Sequence, residues 1–337
     1  MEYFQHQQSF ILESGQSLPE LTIAYHTYGR LNEAKDNVIW ICHALTANSD
    51  AAEWWPGMIG ENLSFDPGKH FIVCANILGS CYGSTGPLSI NPETGQAYFN
   101  SFPFITMRDV VQAHILLRHH LGIEKIQLLV GGSIGGYQAL EWSIMEREVI
   151  ENLFLLATSP TESAWGIAVH SAQRLAIEAD CTWLQPSATA GLKGLKAARA
   201  IGILTYRNYE ILVQKQTDLD ASKTDHFKSS SYINYQGDKL ANRFSAYTYW
   251  HLTKAMDSHN IARERADTVA AVLQGITQRT LIIGISSDIL CPVQEQKFMA
   301  SHIPDATYVE LPSAYGHDGF LVETEMISTA LRDWMPK

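Results

Sequence analysis

Short apolar runs rich in β-formers alternate with amphipathic stretches through the first 150 residues. Residues 37–42 (Asn-Val-Ile-Trp-Ile-Cys), 70–76, 126–130 and 154–158 each have the length and composition of a strand. Between them, Thr106-Met107-Arg108-Asp109 has the form of a capping box with Asp in the acidic place. It opens a helix carrying Val110, Val111, His114, Ile115 and Leu116. Residues 137–145 read as a second helix, directly after a glycine-rich turn. Strand alternating with helix predicts a parallel sheet covered by helices on both faces. The alternation stops at about residue 163. From there to 278 the pattern is mainly helical, with Ala, Leu, Lys, Arg and Gln dominant, and strands resume at 280–285 and 306–311. The predicted architecture is one α/β core, residues 1–162 and 279–337, with a helical lid inserted at 163–278. The segment 240–256 carries Phe244, Tyr247, Tyr249, Trp250 and Leu252, a stripe that reads as core.

Composition narrows the class. No stretch approaches the ~18 consecutive apolar residues of a membrane helix. The first residues, Met1-Glu2-Tyr3-Phe4-Gln5-His6, lack a basic region followed by an apolar one, so no secretory signal is expected. Five cysteines, at 42, 74, 81, 181 and 291, are widely spaced without a CxxC pair; they read as reduced thiols of a cytoplasmic protein. The net charge of −11, with no run of Lys or Arg, argues against a nucleic-acid partner. An anionic substrate would therefore need local positive charge at its site.

Three segments carry candidate chemistry: Gly131-Gly132-Ser133-Ile134-Gly135-Gly136, Ser287-Asp288 and Gly316-His317-Asp318. Each follows a predicted strand, at the edge of a parallel sheet where ligands bind. The order Ser, Asp, His is that of the catalytic triad in the α/β-hydrolase fold. A lone G-x-S-x-G is weak evidence, a loop histidine is ordinarily a surface residue, and an Asp before Pro292 can be a cap. Together, in order and each after a strand, they predict Ser133 as nucleophile, His317 as general base and Asp288 as the group that orients it. An oxyanion hole needs two backbone N–H groups. Ile134, after the nucleophile, supplies one, and Leu45, in the loop His43-Ala44-Leu45-Thr46, the other. Losing one such donor typically costs ~3 kcal/mol of transition-state stabilisation. His43 reads as structural, and Cys42 beside it faces the opposite way on a strand. No cluster with metal-ligand spacing is evident, and the chemistry needs no metal.

At this point the chain resembles the homoserine O-acetyltransferases of methionine biosynthesis, an α/β-hydrolase-fold group that includes O-succinyltransferases of homoserine and serine. The resemblance runs nearly end to end. It covers His43-Ala44-Leu45-Thr46, Trp54-Trp55-Pro56-Gly57-Met58-Ile59-Gly60, Gly83-Ser84-Thr85-Gly86-Pro87, Asn91-Pro92-Glu93-Thr94-Gly95, Gln138-Ala139-Leu140-Glu141-Trp142, Thr205-Tyr206-Arg207, Tyr235-Gln236-Gly237 and Tyr315-Gly316-His317-Asp318. It implies that Arg199, Tyr206 and Asp318 bind L-homoserine, that acetyl-CoA is a co-substrate with no tightly bound cofactor, and that the protein is a cytoplasmic homodimer. The residue types agree with that role: an Arg fork holds a carboxylate and a carboxylate holds an ammonium. Seven residues is close to two helical turns, so Arg199 and Tyr206 share a face if their segment is helical. Ala47 stands where the family commonly has Gly, Cys291 where Phe often precedes the proline, and residues 211–228 align poorly. Ala47 lies near the expected acyl pocket, where acetyl and succinyl would be distinguished. A succinyl donor would need a basic group there, and residues 44–53 hold no Arg or Lys. Homoserine and serine differ by one methylene, worth only ~1–3 kcal/mol in a pocket. Two other classes share these residues: an esterase, in which water replaces homoserine, and a binding protein that kept the fold.

Overall fold

The computed structural model describes residues 1–335. Eight strands make the main sheet: β1 (Glu2–His6), β2 (Leu21–Tyr28), β3 (Val38–Cys42), β4 (Phe71–Ala75), β5 (Ile126–Gly132), β6 (Ile150–Leu156), β7 (Arg279–Ile285) and β8 (Ala306–Leu311). Their spatial order is β1-β2-β4-β3-β5-β6-β7-β8. β3 to β8 are parallel, and β2 runs antiparallel to both its neighbours. The central strands are buried on both faces, which is why they read as unbroken apolar runs. Val38, Trp40 and Cys42 enter one apolar cluster, while Ile39 and Ile41 enter the other. Helices α1 (Met107–His120) and α2 (Ile134–Met145) cover the first face. The C-terminal helix covers the second through Ile327, Leu331 and Trp334.

The capping box is formed. Thr106 Oγ1 accepts from the Asp109 N–H at 3.3 Å, and Asp109 Oδ2 accepts from the Thr106 N–H at 2.8 Å. β1 and β2 were not predicted. β1 is an edge strand in which Phe4 alone is buried, so it has no apolar run to read. β6 begins at Ile150, before the apolar run, because Ile150 and Asn152 pair with Ile126 and Leu128 despite the polar residues between.

Between β6 and β7 the chain forms α3 (Ala164–Glu178), α4 (Leu192–Tyr206), α5 (Tyr209–Gln216), α6 (Lys228–Ala241) and α7 (Ala246–Asp257). α4 packs between α3 and α6. At Gly194 a Cβ would strike the backbone of Ile177, so glycine lets α3 and α4 close on each other. Residues 240–256 are two helices rather than one. α6 ends at Ala241, and Ser245 caps α7 by accepting from the Thr248 N–H. Leu195, Ala198, Leu240, Tyr247 and Leu252 share one apolar cluster with Trp40, Leu129 and Trp142. α4 also packs against the turn at Gly316–Asp318 that follows β8, where a Cβ at Gly316 would strike the Tyr206 carbonyl. Among the described residues no helix is long and apolar enough to cross a membrane.

Candidate active site

β5 ends in a sharp turn at Ser133, whose φ of 56° and ψ of −128° are rare for a residue with a side chain. Such backbone costs roughly 1–3 kcal/mol and persists where surrounding structure enforces it. The enforcement is visible. Ser133 N–H donates to the Leu156 carbonyl at 3.0 Å, and Thr158 Oγ1 donates to the Ser133 carbonyl at 2.8 Å. A Cβ at Gly135 would strike the Cys42 carbonyl, and one at Gly131 the Gly135 carbonyl. Glycine is thus the residue that lets α2 start against β3 and β5.

The turn after β7 carries Asp288, and a short 3-10 turn, Gly316–His317–Asp318, follows β8. The three predicted residues meet. His317 Nε2 lies 2.9 Å from Ser133 Oγ, and its Nδ1 lies 2.7 Å from Asp288 Oδ2. Asp288 Oδ1 accepts from the backbone N–H groups of Leu290 at 2.8 Å and Cys291 at 3.0 Å, which fixes the carboxylate plane. Ser133, Asp288 and His317 are all buried. Burial pushes the His317 imidazole down, but the charge and hydrogen bond of Asp288, with the charge of Asp318, outweigh it and hold it above the ordinary value of 6.5. With Nδ1–H directed at Asp288, Nε2 is left as the acceptor for the serine proton.

Leu45 lies in the turn after β3 and lines the same cavity as Ser133; Ile134 is the first residue of α2. His43 is structural. Its Nδ1 bonds the Ala44 carbonyl at 2.8 Å, its Nε2 accepts from the Ile77 N–H at 3.2 Å, and burial pushes it down to about 4.

Ser133 and His317 open on a cavity of about 90 Å³ whose other walls include Arg199, Tyr206 and Asp318. α4 stays helical through Tyr206, so Arg199 and Tyr206 share a face, with the guanidinium carbon 5.2 Å from the ring centre. The Tyr206 ring lies 5.9 Å from that of His317. Burial raises the Tyr206 phenol despite Arg199, so it is a neutral donor. Asp318 Oδ2 pairs with Arg207 Nη1 at 3.1 Å, a partner the sequence reading did not assign.

The sequence reading also missed two residues of α3 on this wall, His170 and Gln173. His170 Nδ1 bonds Asp257 Oδ1 at 2.9 Å, while Arg174 Nη2 holds the other oxygen at 2.5 Å. A histidine oriented by an aspartate thus occurs twice around one cavity. The three-residue spacing of His170 and Gln173 on one helical face was the available signal.

Asp288, Cys291 and His317 place three ligating atoms within 4.8 Å of one another. The imidazole and carboxylate already bond each other, and burial pushes the Cys291 thiol well above its usual range. Their chemistry fits a hydrogen-bonded pair beside a neutral thiol better than a cation site, since metal binding needs the thiolate. All five cysteines are unpaired; Cys42, Cys74 and Cys291 are buried, and Cys181 is exposed.

Comparisons with known proteins bear on the fold and the family. Residues 37–178 match the family model described as alpha/beta hydrolase fold. The homoserine O-acetyltransferase of Cyclobacterium marinum is 49% identical over 99% of this chain and 94% of its own. Among solved structures, homoserine O-acetyltransferase from Bacillus anthracis superposes with a TM-score of 0.91 at 24% identity, covering 100% of this chain and 97% of its own. Esterase E22 superposes equally well, TM-score 0.91 at 22% identity over 99% and 98%, so these two likenesses speak to fold alone. The full-length identity to the Cyclobacterium protein decides the family: this chain belongs to the homoserine O-acetyltransferases of the α/β-hydrolase fold.

Proposed function

We propose that this protein transfers the acetyl group of acetyl-CoA to the hydroxyl of L-homoserine through an acyl-Ser133 intermediate. The observation that carries the reading is the hydrogen-bonded Ser133–His317–Asp288 array opening on a cavity that Arg199 and Asp318 also line. In the first half-reaction His317 Nε2 takes the Ser133 proton as Oγ attacks the thioester carbonyl. The oxyanion rests on the Leu45 and Ile134 N–H groups. The tetrahedral intermediate collapses, the carbon–sulfur bond breaks, and the thiol leaves with the proton from His317. Homoserine then enters. Arg199 and Tyr206 take its carboxylate, and Asp318 Oδ1 takes its ammonium while Oδ2 stays with Arg207. His317 removes the hydroxyl proton, the oxygen attacks the acyl-serine, and Ser133 recovers a proton as O-acetylhomoserine departs. The covalent route needs no bound cofactor.

Acetyl rather than succinyl fits the cavity, where Arg199 is the one Lys or Arg along the wall among the described residues. Arg243 reaches the loop at residues 44–53 but is engaged by the Thr46 carbonyl at 2.6 Å and by the Tyr82 hydroxyl. Exposed Leu204, Tyr209 and Val213 on the lid are surface available to a second copy in a cytoplasmic homodimer.

Free-thiol release, with homoserine and either acetyl-CoA or succinyl-CoA, tests the reading. A burst of one equivalent of thiol from acetyl-CoA alone, followed by sustained release that depends on homoserine, is expected. Sustained release with succinyl-CoA but not acetyl-CoA would overturn the acyl assignment, and sustained multiple-turnover release without homoserine would make the protein a hydrolase.

A further inference from the structure

The catalytic cavity, at about 90 Å³, is far smaller than the ~300–1,000 Å³ typical of sites that enclose a whole cofactor. The nucleotide end of an acyl-CoA must therefore rest elsewhere. A second cleft, of about 410 Å³, lies immediately beyond the Arg207–Asp318 ion pair. Asp318 belongs to the wall of the cavity and Arg207 to the wall of the cleft, so one 3.1 Å contact separates the two spaces.

The cleft runs between α5, the start of α6 and the loop before His317. Three cations line it, Arg207, Lys215 and Lys228, beside Tyr232, Tyr315 and the buried Ile211. In a chain of net charge −11 that is a local reversal of sign. Lys215 and Lys228 are exposed and form no ion pair among the described residues. The nearby acid, Asp218, is taken by Lys223 at 2.5 Å and by the Lys228 backbone N–H at 2.9 Å. Glu210, at the start of α5, does not line the cleft.

We propose that this cleft is the subsite for the phosphate-bearing nucleotide of the acyl-CoA donor. Arg207, Lys215 and Lys228 pair with its phosphates, and a tyrosine ring offers its face to the base. The proposal rests on the donor being an acyl-CoA. It gives a function to Lys215 and Lys228, which stand within the segment that aligns poorly with the family.

The test compares acetyl-CoA with a short acetyl thioester lacking the nucleotide, S-acetyl-N-acetylcysteamine, in the wild type and in a Lys215→Ala/Lys228→Ala variant. Both lysines are exposed, so the variant should fold. In a ping-pong reaction, kcat/KM for the donor reports the first half-reaction and kcat/KM for homoserine the second. The variant should lose kcat/KM for acetyl-CoA on the order of tenfold per lysine. It should keep kcat/KM for homoserine and for the short thioester, and lose most of the salt dependence seen with acetyl-CoA. An unchanged kcat/KM for acetyl-CoA, or an equal loss on both donors, would overturn the subsite. A wild type that accepts acetyl from neither thioester would overturn the donor reading itself, and the subsite with it.

Discussion

Ser133, Asp288 and His317 stand on turns that leave the ends of parallel strands, whereas Arg199, Tyr206, His170 and Gln173 hang from helices laid over them. The two walls face one cavity but differ in how far their polar atoms are satisfied. Every triad contact is made within the protein, at 2.7–3.0 Å. On the helical wall, Arg199 Nε and Gln173 Oε1 are buried with no partner among the described residues. A buried unpaired polar atom costs about 1–3 kcal/mol, a cost that the triad contacts do not carry. The strand-end wall satisfies its polar atoms within the protein, whereas the helical wall leaves buried polar atoms unsatisfied.

The sharpest way to break this contrast is to damage the first wall without moving it. Asp288→Asn keeps the shape but offers Nδ1 the wrong partner, and should lower acyl transfer by roughly 10⁴-fold with both acetyl-CoA and a small ester. A loss confined to the homoserine step would place Asp288 on the wrong wall. Arg199→Lys does the converse. It keeps the charge and removes the fork, so kcat/KM for homoserine should fall roughly 10- to 100-fold, read from steady-state kinetics. The first-turnover release of thiol from acetyl-CoA should not change. The smallest effect is on pH. Because His317 is held above 6.5, its basic form, and hence kcat/KM for acetyl-CoA, should appear only as pH rises through that higher value. Asp318 contributes to the elevation alongside Asp288 and Glu162. Asp318→Asn removes one negative charge, so the acid limb of the pH profile should move to lower pH; a move upward would contradict the assignment.

How much of each wall could be read in the sequence follows the same division. β3, β5 and β7 announce themselves as apolar runs because both faces are buried, and a nucleophile turn needs glycines that no side chain can replace. Ser133, Asp288 and His317 are therefore legible as residues following strands. Arg199 was legible only through family resemblance, since a charged residue on a helix is ordinarily solvated. The contacts of His170 and Arg207 were not seen, because their partners Asp257 and Asp318 are 87 and 111 positions away and meet them only in the fold. β1 escaped for a simpler reason: an edge strand with one buried residue carries no pattern.

The central claim is that Ser133 carries the acetyl group between the two substrates. The most direct measurement is rapid-quench mass analysis of the protein mixed with acetyl-CoA alone. The account predicts one acetyl group on the peptide containing Ser133, absent in Ser133→Ala and discharged on adding homoserine. Thiol release that requires both substrates at once, with no acetyl on Ser133, would contradict it.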